Sequence, residues 1–198
     1  MALGLEKGGI LEEECMIQRV LRYVMLGAAV VVLTACGGGS NDYAAIQKVK
    51  LDINDLNIKG LSEYTLVNSS SKTRADNTSR LDIEKNKRDI VVLMDKGGEP
   101  ILMGRKFSGD TDVVVSLASS AEIFVLYHPR FNGVSVKDPK KLSNAIRSNK
   151  KFPQLMKAIK KAINNDNPSP MNPTCNFEAR DIAIEIANDL NIDELYKK

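Results

Sequence analysis

Apolar and polar positions alternate with a period of two where Val49, Leu51 and Ile53 interleave with Lys50, Asp52 and Asn54, the pattern of a half-buried strand. A second short apolar stretch runs from Tyr64 to Val67, and Leu81 and Ile83 alternate again. Between these, Asn68 to Arg80 is almost wholly polar and reads as an exposed loop. Asp89 to Met94 (DIVVLM) is short and β-branched, which predicts a buried strand. Lys96-Gly97-Gly98-Glu99-Pro100 is a turn, and Ile101 to Met103 begins a return strand, so the pair predicts a hairpin. Val113-Val114-Val115 adds one more strand. Residues 46–115 therefore predict a small antiparallel sheet or sandwich.

After residue 115 the period changes. Ser116 to His128 (SLASSAEIFVLYH) reads as a helix stopped by Pro129, because Ala and Glu disfavour strands; Ile123 to Tyr127 alone also fits a strand. Asp138-Pro139 combines an N-cap with proline at the first helical position, and Leu142, Ala145 and Ile146 share one face of the helix it opens. Pro153 opens the next helix in the same way. There Phe152, Leu155, Met156, Ile159 and Ile163 line one stripe, with Lys157, Lys160 and Lys161 opposite. The proline- and asparagine-rich residues 165–175 read as a linker. Ala179, Ile182, Ala183, Ile186 and Leu190 then repeat at helical spacing within 176–198, while the alternation of Ile182, Ile184 and Ile186 leaves a strand open. The expected fold class is α+β: a small antiparallel sheet or sandwich over 46–115, then three to four helices, of which 116–164 holds the larger part.

The amino-terminal pattern is of another kind. Met16 to Cys36 reads MIQRVLRYVMLGAAVVVLTAC, with Arg19 and Arg22 ahead of an apolar run from Val24 to Leu33. A bilayer-spanning helix needs about 20 apolar residues, so this run is too short to cross and instead has the build of a signal peptide over 16–35. Leu33-Thr34-Ala35-Cys36 resembles the lipobox of bacterial lipoproteins. The resemblance implies that the Cys36 thiol becomes a diacylglyceryl thioether, that the chain is cut before it, and that the new amino group is acylated. Gly37-Gly38-Gly39-Ser40 comes immediately after, so that 36–45 reads as a flexible tether. Gly37 stands where an Asp commonly retains such proteins in the inner membrane; the resemblance therefore implies outer-membrane sorting in a Gram-negative cell. Residues 1–15 precede the positive region and fit no part of a signal peptide. Glu12-Glu13-Glu14 is encoded by GAA or GAG codons, the composition of a translated ribosome-binding site, which makes Met16 the expected start.

Composition limits the function classes. With 43% apolar and 27% charged residues the 198-residue chain falls in the globular range, so wholesale disorder is not expected. Trp is absent and aromatics make up 5%, which disfavours a carbohydrate-binding surface. Cleavage before Cys36 would remove three basic and four acidic residues, leaving a net charge of +4. No nucleic acid partner is expected of an exported chain with so modest a charge. The cysteine count then leaves Cys175 single, with no disulfide framework, and one histidine rules out a Cys/His zinc site; no metal or cofactor is expected. The charge is nevertheless segregated. Lys137 to Lys161 holds nine basic residues and one acid, Asp138, whereas Asn176 to Glu194 holds six acids and one base, Arg180. Solvated helix faces explain this blandly. Two sharper readings are an anionic-surface contact by Lys157, Lys160 and Lys161, and packing of the acidic helix on the basic ones.

No nucleophile elbow, phosphate loop, metalloprotease helix or dinucleotide fingerprint occurs, and no enzyme is expected. His128 is the one candidate acid or base. A lone histidine before a proline is more often a helix-end residue, and Ser119 and Ser120 lack a placed partner. Asp89 to Ile163, with its strand pair, the VVVSLASSAE helix and the FPQLMKAI helix, further resembles the first domain of long uncharacterised bacterial lipoproteins. That resemblance implies a small β-domain, then helices, then more chain beyond Lys198. The expected role is a membrane-anchored, non-catalytic interaction or structural module of the cell envelope, partnered by membrane lipid through Cys36 and by other envelope proteins. The alternative is a module that binds or hydrolyses a small ligand, with its site drawn from Asn68–Arg80 and the helix ending at His128.

Overall fold

A computed structural model describes residues 45–76, 79–83, 87–131, 138–165, 167 and 169–191. Seven strands come first: β1 (Ala45–Asp52), β2 (Thr65–Val67), β3 (Lys72–Arg74), β4 (Arg80–Ile83), β5 (Asp89–Met94), β6 (Pro100–Lys106) and β7 (Asp112–Ser116). Four helices come after them: α1 (Leu117–Leu126), α2 (Pro139–Arg147), α3 (Phe152–Asn164) and α4 (Phe177–Asp189). The fold is α+β, sheet then helices, as the change of period predicts.

The strands form one sheet in the order β3-β2-β5-β6-β7-β1-β4. Every neighbouring pair is antiparallel except β1 and β7, which run parallel with Val49 beside Val113 and Leu51 beside Val115. Period-two patterning gives each strand its buried face but says nothing of its partner, so the parallel pair has no local signal. On one face stand Val49, Leu66, Leu81, Ile83, Val91, Leu93, Leu102, Val113 and Val115, all 2% exposed or less. That face is buried because the sheet curls until its outer strands meet. Asp82 N–H donates to Ser71 Oγ at 3.1 Å, and Asn68 Nδ2 donates to the Asp82 carbonyl at 2.9 Å. The curl brings β6 close against β7 at Gly104, where a Cβ would lie 2.5 Å from the Val114 carbonyl oxygen.

The helices meet the sheet's other face through α1. Ser116 caps this helix reciprocally with Ser119: the Ser119 N–H donates to Ser116 Oγ, and the Ser116 N–H to Ser119 Oγ. Ser119 Oγ also donates to the Met103 carbonyl at 2.6 Å, and Ser120 Oγ accepts from the Met103 N–H at 2.8 Å. Strand pairing between β6 and β7 reaches only Met103 and Ser116, so these hydroxyls satisfy backbone groups that would otherwise be buried unpaired. Asp138 caps α2 by accepting from the Lys140 and Lys141 N–H groups, ahead of Pro139. Phe152, Leu155, Ile159 and Ile163 bury the predicted stripe of α3, and Ala179, Ala183 and Ile186 that of α4.

Two expectations need correction. Asn68–Arg80 is not wholly an exposed loop, since it holds β3 and the buried Ala75 and Ser79; an outer strand of charged residues has no apolar alternation to betray it. Among its described residues the linker stretch has no helix or strand but is packed, with Ser169, Met171 and Asn172 all buried. Among the described residues no helix is long and apolar enough to cross a membrane.

Candidate functional site

Cys36, the whole lipobox and the signal segment lie outside the described residues. The three lysines do not. Lys161 Nζ lies 2.8 Å from Glu178 of α4, Lys160 Nζ lies 4.0 Å from Asp55, and Lys157 is exposed. Immediately before α3, Lys151 bridges Glu185 and Asp189, each at 3.2 Å. Basic and acidic blocks therefore face each other across the α3–α4 seam at two places, while Asp181 pairs along its own helix with Arg180.

Hydrogen bonds from Lys151 and then Asn149 hold the Asp189 carboxyl below its usual range, and those from Lys151 to Asp189 and Glu185 raise the Lys151 ammonium. The carboxylate's contribution is present above about pH 4, its unfolded value, and fades as pH falls through the lower folded value. The ammonium's contribution is present below about pH 10.4 and is lost as pH rises through its higher folded value. Lys151→Gln is therefore expected to cost a little stability at pH 7 and progressively less as pH falls below about 4, as thermal melts over that range would show.

A charged cluster centres on a buried carboxylate of α1. Glu122, on α1, has a side chain 1% exposed; its Oε2 accepts from Arg147 Nε at 2.9 Å and lies 2.9 Å from Arg147 Nη2. Its Oε1 faces Arg105 Nη1 of β6 at 3.6 Å, too far for a hydrogen bond, and neither atom has another partner among the described residues. Burial pushes the Arg105 guanidinium down from its usual range; Glu122 opposes this and Arg88 adds to it. Arg105 also lies 4.9 Å over the Phe107 ring. The arrangement clamps α1 and α2 onto β6, and it leaves no space between Arg105 and Glu122 for a further group. Glu122 is the sole acidic residue in the predicted helix Ser116 to His128, a signal that could have marked it.

The candidate site is a cleft of about 310 Å³ at the end of α1, walled by Phe124, Pro129, Pro173, Ala183 and Ile184, with Tyr127, His128 and Arg180 also lining it. Its shape is fixed by the turn at Pro129–Phe131. There Arg130 Nη1 donates to the Ala187 and Asn188 carbonyls at 2.9 and 3.3 Å, capping the end of α4. The Arg130 N–H donates to His128 Nδ1 at 3.2 Å, and Tyr127 Oη donates to Met103 Sδ at 3.1 Å. A larger hollow of about 420 Å³ lies over β2 and β3, but its lining is mostly polar. Apolar walls with a few fixed polar groups mark the His128 cleft as the better ligand site. Ser119 and Ser120 do not reach it, being buried against Met103. Nor does the Asn68–Arg80 segment line it. Among the described residues no group of three or more His, Cys, Asp or Glu could hold a metal ion.

Compared with protein-family models, curated proteins and solved structures, the chain matches none.

Proposed function

We propose that the chain is a lipid-anchored lipoprotein of the cell envelope whose α+β domain serves as a non-catalytic interaction or structural module. The observation that carries this reading is the sequence Leu33-Thr34-Ala35-Cys36, set between a signal-like apolar run and a Gly/Ser tether. A thiol at that place is the nucleophile that becomes the thioether. Two or more acyl chains anchor a protein stably, because each buried CH₂ contributes about 0.8 kcal/mol. A tether of that composition would let the domain meet other envelope proteins, and the exposure of Lys157 supports a contact with anionic headgroups. Gly37 supports sorting to the outer membrane in a Gram-negative cell.

Cys36→Ala is expected to abolish incorporation of labelled palmitate and to leave unprocessed precursor in the inner membrane. Release of the variant at the mature size, or a parent protein without fatty acid, rejects the reading. Fractionation of the parent tests the sorting, and an inner-membrane position rejects that part alone. A ligand-binding domain is the second reading, favoured by the cleft at His128.

A further inference from the structure

We propose that the end of the sheet at which β1 begins faces the membrane, and that Lys48, Arg88 and Lys141 meet anionic phospholipid headgroups there. The inference rests on the lipoprotein reading and adds to it the surface that makes the contact. Strand register defines this end. Ala45 pairs with Ile83 of β4, Lys48 with Asp112 at the start of β7, and Asp89 at the start of β5 with Lys106 at the end of β6. The turn from β6 to β7 therefore lies at the same end, and Lys140 Nζ, 2.8 Å from Asp110 Oδ1 of that turn, brings the first turn of α2 beside it. Asp52 and the turn from β5 to β6 lie at the opposite end.

Chain length selects this end. Cys36 precedes Ala45 by nine positions, a span of at most ~30 Å when fully extended and roughly 17 Å for a Gly-rich coil of that length. β1 then carries the chain a further ~23 Å before Asp52. A domain held so close to its anchor presents the Ala45 end first. Charge selects the same end. Among the described residues Lys48, Arg88 and Lys141 are exposed there without an ion pair. The carboxylates beside them are mostly occupied: Asp89 by Asn68 and Ser69, Asp110 by Lys140, Asp112 by Lys50, and Asp138 by the first N–H groups of α2. Asp82 is the exception, exposed and met by no cation among the described residues. At the opposite end Asp52, Asp95 and Glu99 stand with Lys96. Each cation beside an anionic surface favours contact by about fivefold.

The test is amine footprinting of the full chain, purified from its own membranes and reconstituted into phosphatidylcholine vesicles with or without phosphatidylglycerol. Acetic anhydride is the reagent, and mass spectrometry reads each lysine. Phosphatidylglycerol is expected to protect Lys48 and Lys141 and to leave Lys96 unchanged. The protection should vanish at about 1 M salt, where charges are screened over ~3 Å. Arg88→Glu removes one positive charge and adds one negative, and is expected to weaken the contact about 25-fold, cancelling the protection. Arg88 is exposed and repels Arg105, so the variant is expected to keep the parent's urea midpoint. An intact mass without acyl chains overturns the lipoprotein reading and the inference with it. In an acylated chain, equal reactivity of Lys48 and Lys141 in the two vesicles, protection of Lys96, or protection of Lys157 without them overturns the inference alone.

Discussion

Replacing Glu122 by glutamine is expected to destabilise the domain by about 3–5 kcal/mol, the range for a buried ion pair that loses one partner. The carboxylate is nearly inaccessible and serves two guanidinium groups from two elements, Arg105 of β6 and Arg147 of α2. Without it Arg105, whose side chain is 17% exposed, keeps a positive charge with no counter-charge among the described residues, and Arg88 adds repulsion. Arg147 is 45% exposed and can turn to water, so the cost falls mainly on Arg105. Replacing Arg105 and Glu122 together by methionine removes both buried charges and is expected to recover most of the loss, since apolar replacements of such pairs are often neutral or stabilising. Urea unfolding of a soluble fragment from Asn41 onward measures both. A single-variant loss below about 1 kcal/mol would show that water reaches Arg105 freely.

Gly104→Ala is expected to destabilise by about 1–3 kcal/mol, the range for overpacking a close-packed site. The backbone there does not have positive φ, the described positive-φ glycines being Gly60, Gly98 and Gly109. At an unstrained position the same substitution normally stabilises by about 0.4–1 kcal/mol through the unfolded chain. The sign is therefore diagnostic. The new Cβ would lie 2.5 Å from the Val114 oxygen, 2.9 Å from the Val114 carbonyl carbon and 2.9 Å from Val115 Cγ2. Two of these obstacles are backbone atoms and cannot rotate aside. Relief requires parting β6 from β7, which also disturbs the serine contacts of α1 to Met103. A gain in the urea midpoint would mean that the two strands separate without cost.

The elements that signal themselves locally are legible in the sequence. β1, β5, β6 and β7 show apolar alternation or short β-branched runs, and α2 shows an N-cap followed by proline. The features that escape are set by distant residues. β3 is polar because one flank of an outer strand faces water, so Lys72-Thr73-Arg74 carries no pattern until Leu66 and Val67 lie beside it. Ser169 and Met171 look like linker residues because prolines flank them, yet they are buried. Of the cleft, only His128 stands out along the chain. Its opposite wall comes from Ala183 and Ile184, more than fifty positions on, and only the docking of α4 brings them together. The segregated charges leave open whether Lys161 meets a surface or an acidic helix, and the α3–α4 seam supplies Glu178 as its partner.

The placement of β1 between β4 and β7 sets the order in which this domain can be assembled during synthesis. Its antiparallel neighbour begins at Arg80, but its parallel one spans Asp112–Ser116 and is the last strand among the described residues. A chain emerging amino-terminus first therefore holds its first strand half-paired until β7 is complete. The β5–β6 hairpin and the capped start of α1 need only near neighbours and are free to form beforehand. Folding of this domain is accordingly expected to be slow, limited by closure of a loop of some sixty residues, and any chain ending before Ser116 leaves an edge of β1 open to another strand.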